Sequence, residues 1–181
     1  MKLGVKEAGC IRDLLKKSNQ IEELYLNGNS FGVEGAQIIA DGLKVNQSLR
    51  ILDLNHNRIR NKGAVFIANA ILGEDSQSRL RTLYIKSNFI GDKSFKQIVS
   101  LILNKCGPLA NLANQHLRGL FIAGNDTSIF ELKRLQKVIL DRRVDLFVDG
   151  IERIKRNSDE CLFISGVNMK TISEDKIVAK L

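Results

Sequence analysis

One phrase, Leu-x-x-Leu-x-Leu-x-x-Asn, recurs four times along the chain, and a segment with helical spacing follows each copy. The copies begin at Ile21, Leu49, Leu80 and Leu117, so the spacings are 28, 31 and 37 residues. A unit repeated at a period of about 20 to 50 residues is typical of a solenoid, in which each unit buries its apolar face against its neighbours. The pattern therefore predicts stacked strand and helix pairs, with loop insertions in the longer units.

The first full unit shows how one copy is expected to fold. Its apolar residues Ile21, Leu24 and Leu26 fall in a short extended segment, and Asn29 follows where the chain must leave the strand. The next apolar or small residues recur at helical spacing, which predicts a helix over about 33–44: Phe31, Gly35, Ala36, Ile39, Ala40 and Leu43. Burial of every repeated leucine requires parallel strands centred on four leucines: Leu24, Leu52, Leu83 and Leu120.

The two ends of the chain depart from this unit. Gly4-Val5 stands where a helix start is expected, so the chain is predicted to open with a helix and no strand of its own. Near the other end, Leu146-Phe-Val-Asp-Gly150 repeats the wording of Leu120-Phe-Ile-Ala-Gly124, and Leu162-Phe-Ile-Ser-Gly166 gives it again. We expect one domain in three parts: 1–181 overall, with 1–20 a helix or cap, 21–142 four helix-containing repeats, and 143–181 an irregular repeat and cap.

The chain has 28 Lys and Arg against 20 Asp and Glu, which gives a formal net charge of +8. Between Arg50 and Arg118 there are eleven basic residues and four acidic ones, so the central repeats carry most of the excess. A positive field of this kind favours acidic partners, whether proteins, nucleic acid or anionic lipid. A solvated basic surface that only aids solubility is the equal alternative.

Other composition features narrow the class of protein. The three cysteines, Cys10, Cys106 and Cys161, are odd in number and far apart, which fits neither a disulfide framework nor a metal site. The first ten residues lack the apolar core of a secretory signal, and no apolar run is long enough to span a bilayer. We expect a soluble, cytoplasmic protein with reduced thiols.

The sequence offers little for catalysis. It has two histidines, His56 and His116, with no nucleophile placed by a motif, no phosphate-cradling glycine loop and no metal-ligand spacing. A dyad of His56 with Asp53 is conceivable, but an exposed polar histidine is the preferred interpretation. We therefore predict no enzyme activity, no cofactor and no metal.

The phrase Leu-x-x-Leu-x-Leu-x-x-Asn-x-Ile-x-x-x-Gly-Ala resembles the ribonuclease-inhibitor class of leucine-rich repeats. The similarity is close over 21–71, fair through Asn125 and weak beyond Gly150. It implies an α/β fold, a right-handed horseshoe-shaped solenoid with a parallel sheet on the concave face and helices on the convex face. The same class occurs in the arrays of NOD-like receptors and in the activating protein of the Ran GTPase. These relatives share a scaffold and not an activity, so the resemblance favours protein binding without naming a partner.

In that class, the Asn of each repeat points inward, and its side-chain amide bonds to backbone groups at the end of the strand. Four residues match the motif position, and the resemblance implies a structural ladder and no ligand contact for them: Asn29, Asn57, Asn88 and Asn125.

Residues between the core leucines are expected on the concave face, because successive side chains of a strand alternate sides. The position between the last two leucines reads Tyr25, Asp53, Tyr84 and Phe121, and the repeated wording would extend it to Phe147 and Phe163. Large aromatics on an exposed face favour a binding surface. The alternatives are that aromatics simply suit strands, and that the C-terminal cap covers the last two.

A second set of candidate contacts follows the first leucine of each repeat: Glu22, Arg50, Arg81 and Arg118. Stacked arginines repel each other unless an acidic group meets them, so they predict a carboxylate-rich or phosphate-bearing partner. Pairing with Glu23, Asp53 or solvent is an equal alternative. A third set, Gly28, His56, Ser87 and Gly124, lines the strand ends.

Together these features predict a non-enzymatic module that binds an acidic protein surface through the concave sheet. The expected contact residues are the aromatic column with Asp53 and the arginine column. The alternatives are a GTPase regulator like the Ran activator, and a binder of RNA or anionic lipid through the basic central repeats. The lack of an acidic tail argues against the GTPase regulator, and the lack of a recognised RNA motif argues against RNA binding.

Overall fold

The structure is a computed structural model that describes residues 2–105, 116–141 and 146–149. Helices and strands alternate along this part of the chain. The helices are α1 Val5–Lys17, α2 Gly32–Leu43, α3 Arg60–Leu72, α4 Asp92–Lys105 and α5 Ile129–Asp141. The strands are β1 Glu23–Tyr25, β2 Ile51–Asp53, β3 Thr82–Tyr84, β4 Gly119–Phe121 and β5 Phe147–Val148.

The strands form one parallel sheet in the order β1-β2-β3-β4-β5. Leu24 pairs with Leu52, Leu52 with Leu83, and Leu83 with Leu120, so the predicted register of four parallel strands is confirmed. This register places the repeated leucines on one face, where the helices cover them. The fold is thus the right-handed α/β solenoid predicted from the sequence.

Helix boundaries follow the sequence signals to within about a residue. The helix predicted over about 33–44 is α2, and the N-terminal helix α1 begins at Val5 directly after Gly4. The Gly4 N–H donates to the Glu7 carboxylate at 2.8 Å, which satisfies one of the amide groups left open at a helix start. This contact fixes where α1 begins.

The hydrophobic core lies between the sheet and the helices. It is made of repeated aliphatic positions such as Ile39, Leu52 and Ile67, each 0% exposed, and of Phe95, also 0% exposed, where the earlier repeats have Ala36 and Ala64. Small residues let neighbouring helices approach each other closely. A Cβ added to Gly63 of α3 would lie 3.0 Å from the Cβ of Ala36 in α2, so a larger residue would push these helices apart.

A buried asparagine joins α1 to the start of the second repeat. Asn46 donates to the carbonyls of Leu15 at 2.7 Å and Ser18 at 3.1 Å, and its oxygen accepts from the Leu49 N–H at 2.7 Å. These bonds satisfy carbonyls that the end of α1 leaves open, and they hold the α1 end beside the start of β2.

Some predictions fall on residues outside the described ranges. They are part of the loop insertion predicted in the longest unit, the C-terminal cap with Phe163, and the thiols of Cys106 and Cys161. Cys10 lies within the described part and is an exposed free thiol.

Candidate binding surface

The concave face carries the column predicted between the last two leucines of each repeat. Tyr25 pairs with Asp53, Asp53 with Tyr84, and Tyr84 with Phe121 across the parallel strands. These side chains project from the face of the sheet opposite the helices, because their strand neighbours point into the core. Tyr25 is exposed, whereas the others are half-buried.

Three aromatic side chains pack together on the later strands, and we call them the aromatic strip: Tyr84, Phe121 and Phe147. The Tyr84 and Phe121 rings stack with centroids 4.3 Å apart and planes 18° apart. The Phe121 and Phe147 rings are tilted by 48°, with centroids 5.4 Å apart. Each aromatic pair of this kind contributes about 0.5 to 1.5 kcal/mol of stability beyond the contribution of the buried apolar area. The strip is therefore a fixed apolar plate on an open face.

Phe147 belongs to this strip, but β5 pairs with β4 in a different register from the one that the repeated sequence predicts. The repeated phrase places it in the column of Phe121, and this prediction is wrong, because Phe147 pairs with Gly119 and Val148 with Leu120. A shift of two residues keeps each side chain on its original face, so Phe147 still lies on the concave side. Its partner Gly119 has no side chain, and a Cβ there would lie 3.2 Å from a ring carbon of Phe121.

Tyr25 stands apart from the strip. It is 50% exposed, and Asp53 separates it from Tyr84 in the column. Its hydroxyl donates to the Glu23 carboxylate at 2.6 Å, and this hydrogen bond is the main reason that the pKa of Tyr25 rises to about 12. The aromatic column is thus divided into one exposed tyrosine at β1 and a packed strip on the later strands.

A lysine and an aspartate that were not predicted as contact residues border the strip. Lys86 Nζ lies 5.4 Å from the centroid of Phe121 and 2.8 Å from the carboxylate of Asp149. The other carboxylate oxygen of Asp149 accepts from the N–H groups of Ile122 at 2.7 Å and Ala123 at 3.1 Å. The available signal in the sequence was an acidic residue directly after β5, where its carboxylate can accept from the backbone N–H groups that follow β4.

Asp53 lies on the concave face between Tyr25 and Tyr84. Burial is the largest cause of the raised pKa of this carboxyl, and its bond from the Asn55 N–H at 2.8 Å opposes that shift. Burial also raises the pKa of Tyr84, with Asp53 the largest charge contribution. His56 is exposed and does not share a hydrogen bond with Asp53 in the described structure, so the geometry gives no catalytic dyad.

The arginine column lies at the edge of the sheet where the strands begin. The Arg81 N–H bonds to the Arg50 carbonyl and the Arg118 N–H to the Arg81 carbonyl, both at 2.8 Å, so the three residues stand on neighbouring strands. Arg79 lies beside them, and its carbonyl accepts from Arg50 Nη1 at 3.3 Å. We call these four residues the basic edge. Burial, followed by the charges of all four, lowers the pKa of His116.

The four motif asparagines make the bonds at the strand ends that the resemblance implies. Asn57 Nδ2 donates to the Leu26 carbonyl of the preceding repeat at 2.8 Å, and the Asn57 N–H donates to Asn88 Oδ1 at 2.9 Å. Asn88 and Asn125 repeat this arrangement, and Asn29 bonds to the Leu3 N–H at 2.9 Å. Asn57 and Asn88 are fully buried. Each amide thus joins one repeat to the next.

The third predicted set consists of turn residues. All four have a left-handed backbone, with φ of 73° at Gly28, 55° at His56, 52° at Ser87 and 72° at Gly124. Glycine adopts this conformation without strain, whereas other residues adopt it less readily. The set therefore marks where each strand turns toward its helix, and we do not assign it to binding.

Within residues 2–105, 116–141 and 146–149 no cluster of His, Cys, Asp and Glu has the arrangement needed to hold a metal ion. None of the helices in these ranges is long and apolar enough to cross a membrane.

Comparison with known proteins gives matches to the repeat and to the fold. A family model described as leucine-rich repeat matches residues 45–68. Among solved structures, actin-binding site 2 of leiomodin-1 superimposes with a TM-score of 0.61 at 17% identity, covering 76% of this chain and 75% of that chain. No curated protein sequence matches. The chain therefore contains a leucine-rich repeat and has the fold of a leucine-rich repeat solenoid.

Proposed function

We propose that this protein is a non-enzymatic binding module that holds a partner protein against its concave sheet. The observation that carries the proposal is the aromatic strip, in which three rings from neighbouring strands are packed together on the face away from the core. Half-buried aromatic side chains of this kind recur at the energetic centres of protein interfaces. The concave face of a solenoid offers room for an extended partner.

Packing within the strip favours binding for an entropic reason. Ordering a flexible side chain at an interface costs about 0.5 to 1.5 kcal/mol. The stacked rings of Tyr84 and Phe121 already restrain each other. Binding a partner over them therefore costs less side-chain conformational entropy. Tyr25 is 50% exposed and therefore keeps more freedom to lose, so it is expected to contribute less.

Charge indicates which surface the partner presents. Arg50, Arg81 and Arg118 stand in a row at the edge of the same sheet, so a partner that covers the strip can place acidic groups against them. We therefore propose an apolar partner surface flanked by acidic residues. We also propose that the repeats belong to the ribonuclease-inhibitor-like class, because a helix of 12 to 14 residues follows each of β1, β2, β3 and β4.

The test is capture of binding proteins from a lysate, followed by measurement with the purified partner. The comparison is between the natural protein, Phe121→Ala in the strip and Phe130→Ala at the start of α5. Phe130 is 78% exposed and lies at the start of α5, away from the sheet. Phe130→Ala removes the same kind of side chain there, so it is the matched control. Purified actin is one defined probe, since the leiomodin-1 structure with this fold is named as an actin-binding site.

We expect one captured protein that Phe121→Ala loses and Phe130→Ala retains. Its binding should weaken as salt rises, because acidic groups facing the basic edge are screened. Equal loss in both variants, or capture unaffected by either, would contradict binding through the strip.

A further inference from the structure

The basic edge brings four arginines together at the strand starts. Arg50, Arg81 and Arg118 begin neighbouring strands, about 4.8 Å apart, and Arg79 lies next to Arg50. Within the described residues neither Arg50, Arg79 nor Arg81 has a carboxylate partner. Like charges at this spacing repel each other, so the arrangement is stabilised by an anion that meets several of them at once.

Arg50 is held in a position that leaves donors open. Its Nη1 donates to the carbonyls of Gln47 at 2.9 Å and Arg79 at 3.3 Å. No other bond of its guanidinium is found among the described residues, so Nε and Nη2 remain available. These two nitrogens form the fork that binds two oxygens of one phosphate or carboxylate. Two backbone carbonyls thus fix the head group before a ligand arrives.

A cleft of about 400 Å³ adjoins this arginine. The end of α1 contributes Lys16, Lys17 and Ser18 to its lining, and Arg50 lines the opposite side. Glu22 is the one acidic residue in the lining, against three basic ones. Neither lysine has an ion pair within the described part of the chain. The cleft therefore extends the positive charge of the basic edge into a concave site.

The positive charge of the basic edge also acts on His116. It is half-buried, and after burial the largest influences on its pKa are Arg79, Arg50, Arg118 and Arg81 in that order, all in the lowering direction. The charges of four guanidinium groups therefore act on the same part of the surface, around His116.

We propose that the basic edge and the adjoining cleft bind a phosphorylated segment of the partner protein. This inference rests on the proposed function only for the protein nature of the partner. A phosphoserine carries about −1.5 to −2 charge and three acceptor oxygens, so it can bond to two guanidinium groups at once, whereas a single carboxylate satisfies one. The row of closely spaced arginines beside a prepared fork favours phosphate for this reason.

A peptide fits the site better than a nucleic acid. Bases would need open aromatic faces, but Tyr84 and Phe121 already stack on each other. A phosphate backbone running from the basic edge onto the concave face would also meet the carboxylates of Glu23, Asp53 and Asp149. A peptide can place phosphate at the edge alone and keep its remaining length neutral.

The test uses fluorescein-labelled Gly-Ser peptides of one sequence in three forms, with two phosphoserines, two glutamates or two unmodified serines. Fluorescence polarisation at physiological salt measures their affinities. We expect the phosphorylated form to bind about tenfold or more tightly than the glutamate form. Arg50→Gln with Arg81→Gln should weaken its binding at least about tenfold. Arg58→Gln with Arg60→Gln removes the same charge between β2 and the start of α3, and should change it less than about twofold.

Three results would overturn the proposal. The first is similar affinity for the phosphorylated and glutamate peptides, and the second is equal loss in both pairs of arginine variants. The third is tighter, Arg50- and Arg81-dependent binding of single-stranded RNA or of vesicles containing phosphatidylserine. Thermal unfolding of each variant checks that the fold persists. Tyr84→Ala should retain phosphopeptide binding, so failure here is distinguishable from failure of the concave-face proposal.

Discussion

The two faces of the sheet differ in how similar the side chains are from one repeat to the next. On the core face, Leu52, Leu83 and Leu120 occupy equivalent positions and are at most 3% exposed. One residue further along, the concave face has Asp53, Tyr84 and Phe121 at positions that are just as equivalent in the backbone. Every repeat must fill the same space under its helix, whereas nothing in the fold requires one chemistry on the open side. The variable face is therefore where we expect binding specificity.

The largest predicted effect is on the core face. Leu52→Ala should lower the free energy of unfolding by about 2 to 5 kcal/mol, because Leu52 is fully buried and the substitution leaves a cavity. Urea unfolding measures the change. Ile51→Ala, a half-buried neighbour on the concave face of the same strand, is the control and should cost clearly less. Equal losses would contradict the division between the faces.

The asparagine ladder should give the next largest effect. Asn57→Ala should cost about 1 to 3 kcal/mol, because it leaves the buried Leu26 carbonyl without the donor 2.8 Å away. Asn29→Ala, at the partly exposed start of the ladder, should cost less in the same urea titration. A melting temperature unchanged by Asn57→Ala, together with weaker partner binding, would move this residue from the scaffold to the binding site.

The smallest predicted effect concerns Asp53 and depends on pH. Burial raises the pKa of its carboxyl in the folded state, so the folded protein disfavours the ionised form. The unfavourable contribution is absent at low pH and appears as pH rises through the folded pKa. Asp53→Asn should therefore stabilise the protein relative to the natural chain more at pH near 7 than near 3, in urea unfolding at several pH values. The exposed Asp126→Asn is the control, and a difference independent of pH would refute the assignment.

Most of the fold could be predicted from the sequence, because the repeated leucines have one physical solution. The register of β5 could not. Leu146-Phe-Val resembles Leu120-Phe-Ile in wording, yet Val148 pairs with Leu120. Two registers that differ by two residues place the same side chains in the core, so hydrophobic alternation does not distinguish them. The pairing of Phe147 with Gly119 therefore emerges only from the structure.

Less of the candidate surface could be predicted. The sequence places Tyr84 and Phe121 in one column, but stacking depends on ring orientation, which alternation does not determine. The ion pair of Lys86 with Asp149 depends on the same shifted register of β5. The row of arginines at the strand starts follows from the repeat alone, whereas the orientation of the Arg50 head group required the position of the Gln47 and Arg79 carbonyls.

Two neighbouring residues of β3 provide the most direct test of the division between faces. Leu83 is 3% exposed in the core, and Tyr84 lies half-buried in the aromatic strip. The measurement is the affinity of each alanine variant for the captured partner, by calorimetry at a temperature where urea unfolding shows both to be folded. Tyr84→Ala should weaken binding by about 2 kcal/mol or more, the size expected of an interface anchor.

The same variants should rank in the opposite order for stability. Tyr84→Ala should lower the free energy of unfolding by about 1 to 2 kcal/mol, since it loses the ring stack and partial burial. Leu83→Ala should lower it by about 2 to 5 kcal/mol while leaving the affinity of the folded protein nearly unchanged. A Tyr84→Ala variant that binds normally but is as unstable as Leu83→Ala would show that the strip is part of the core, and would contradict binding through the concave face.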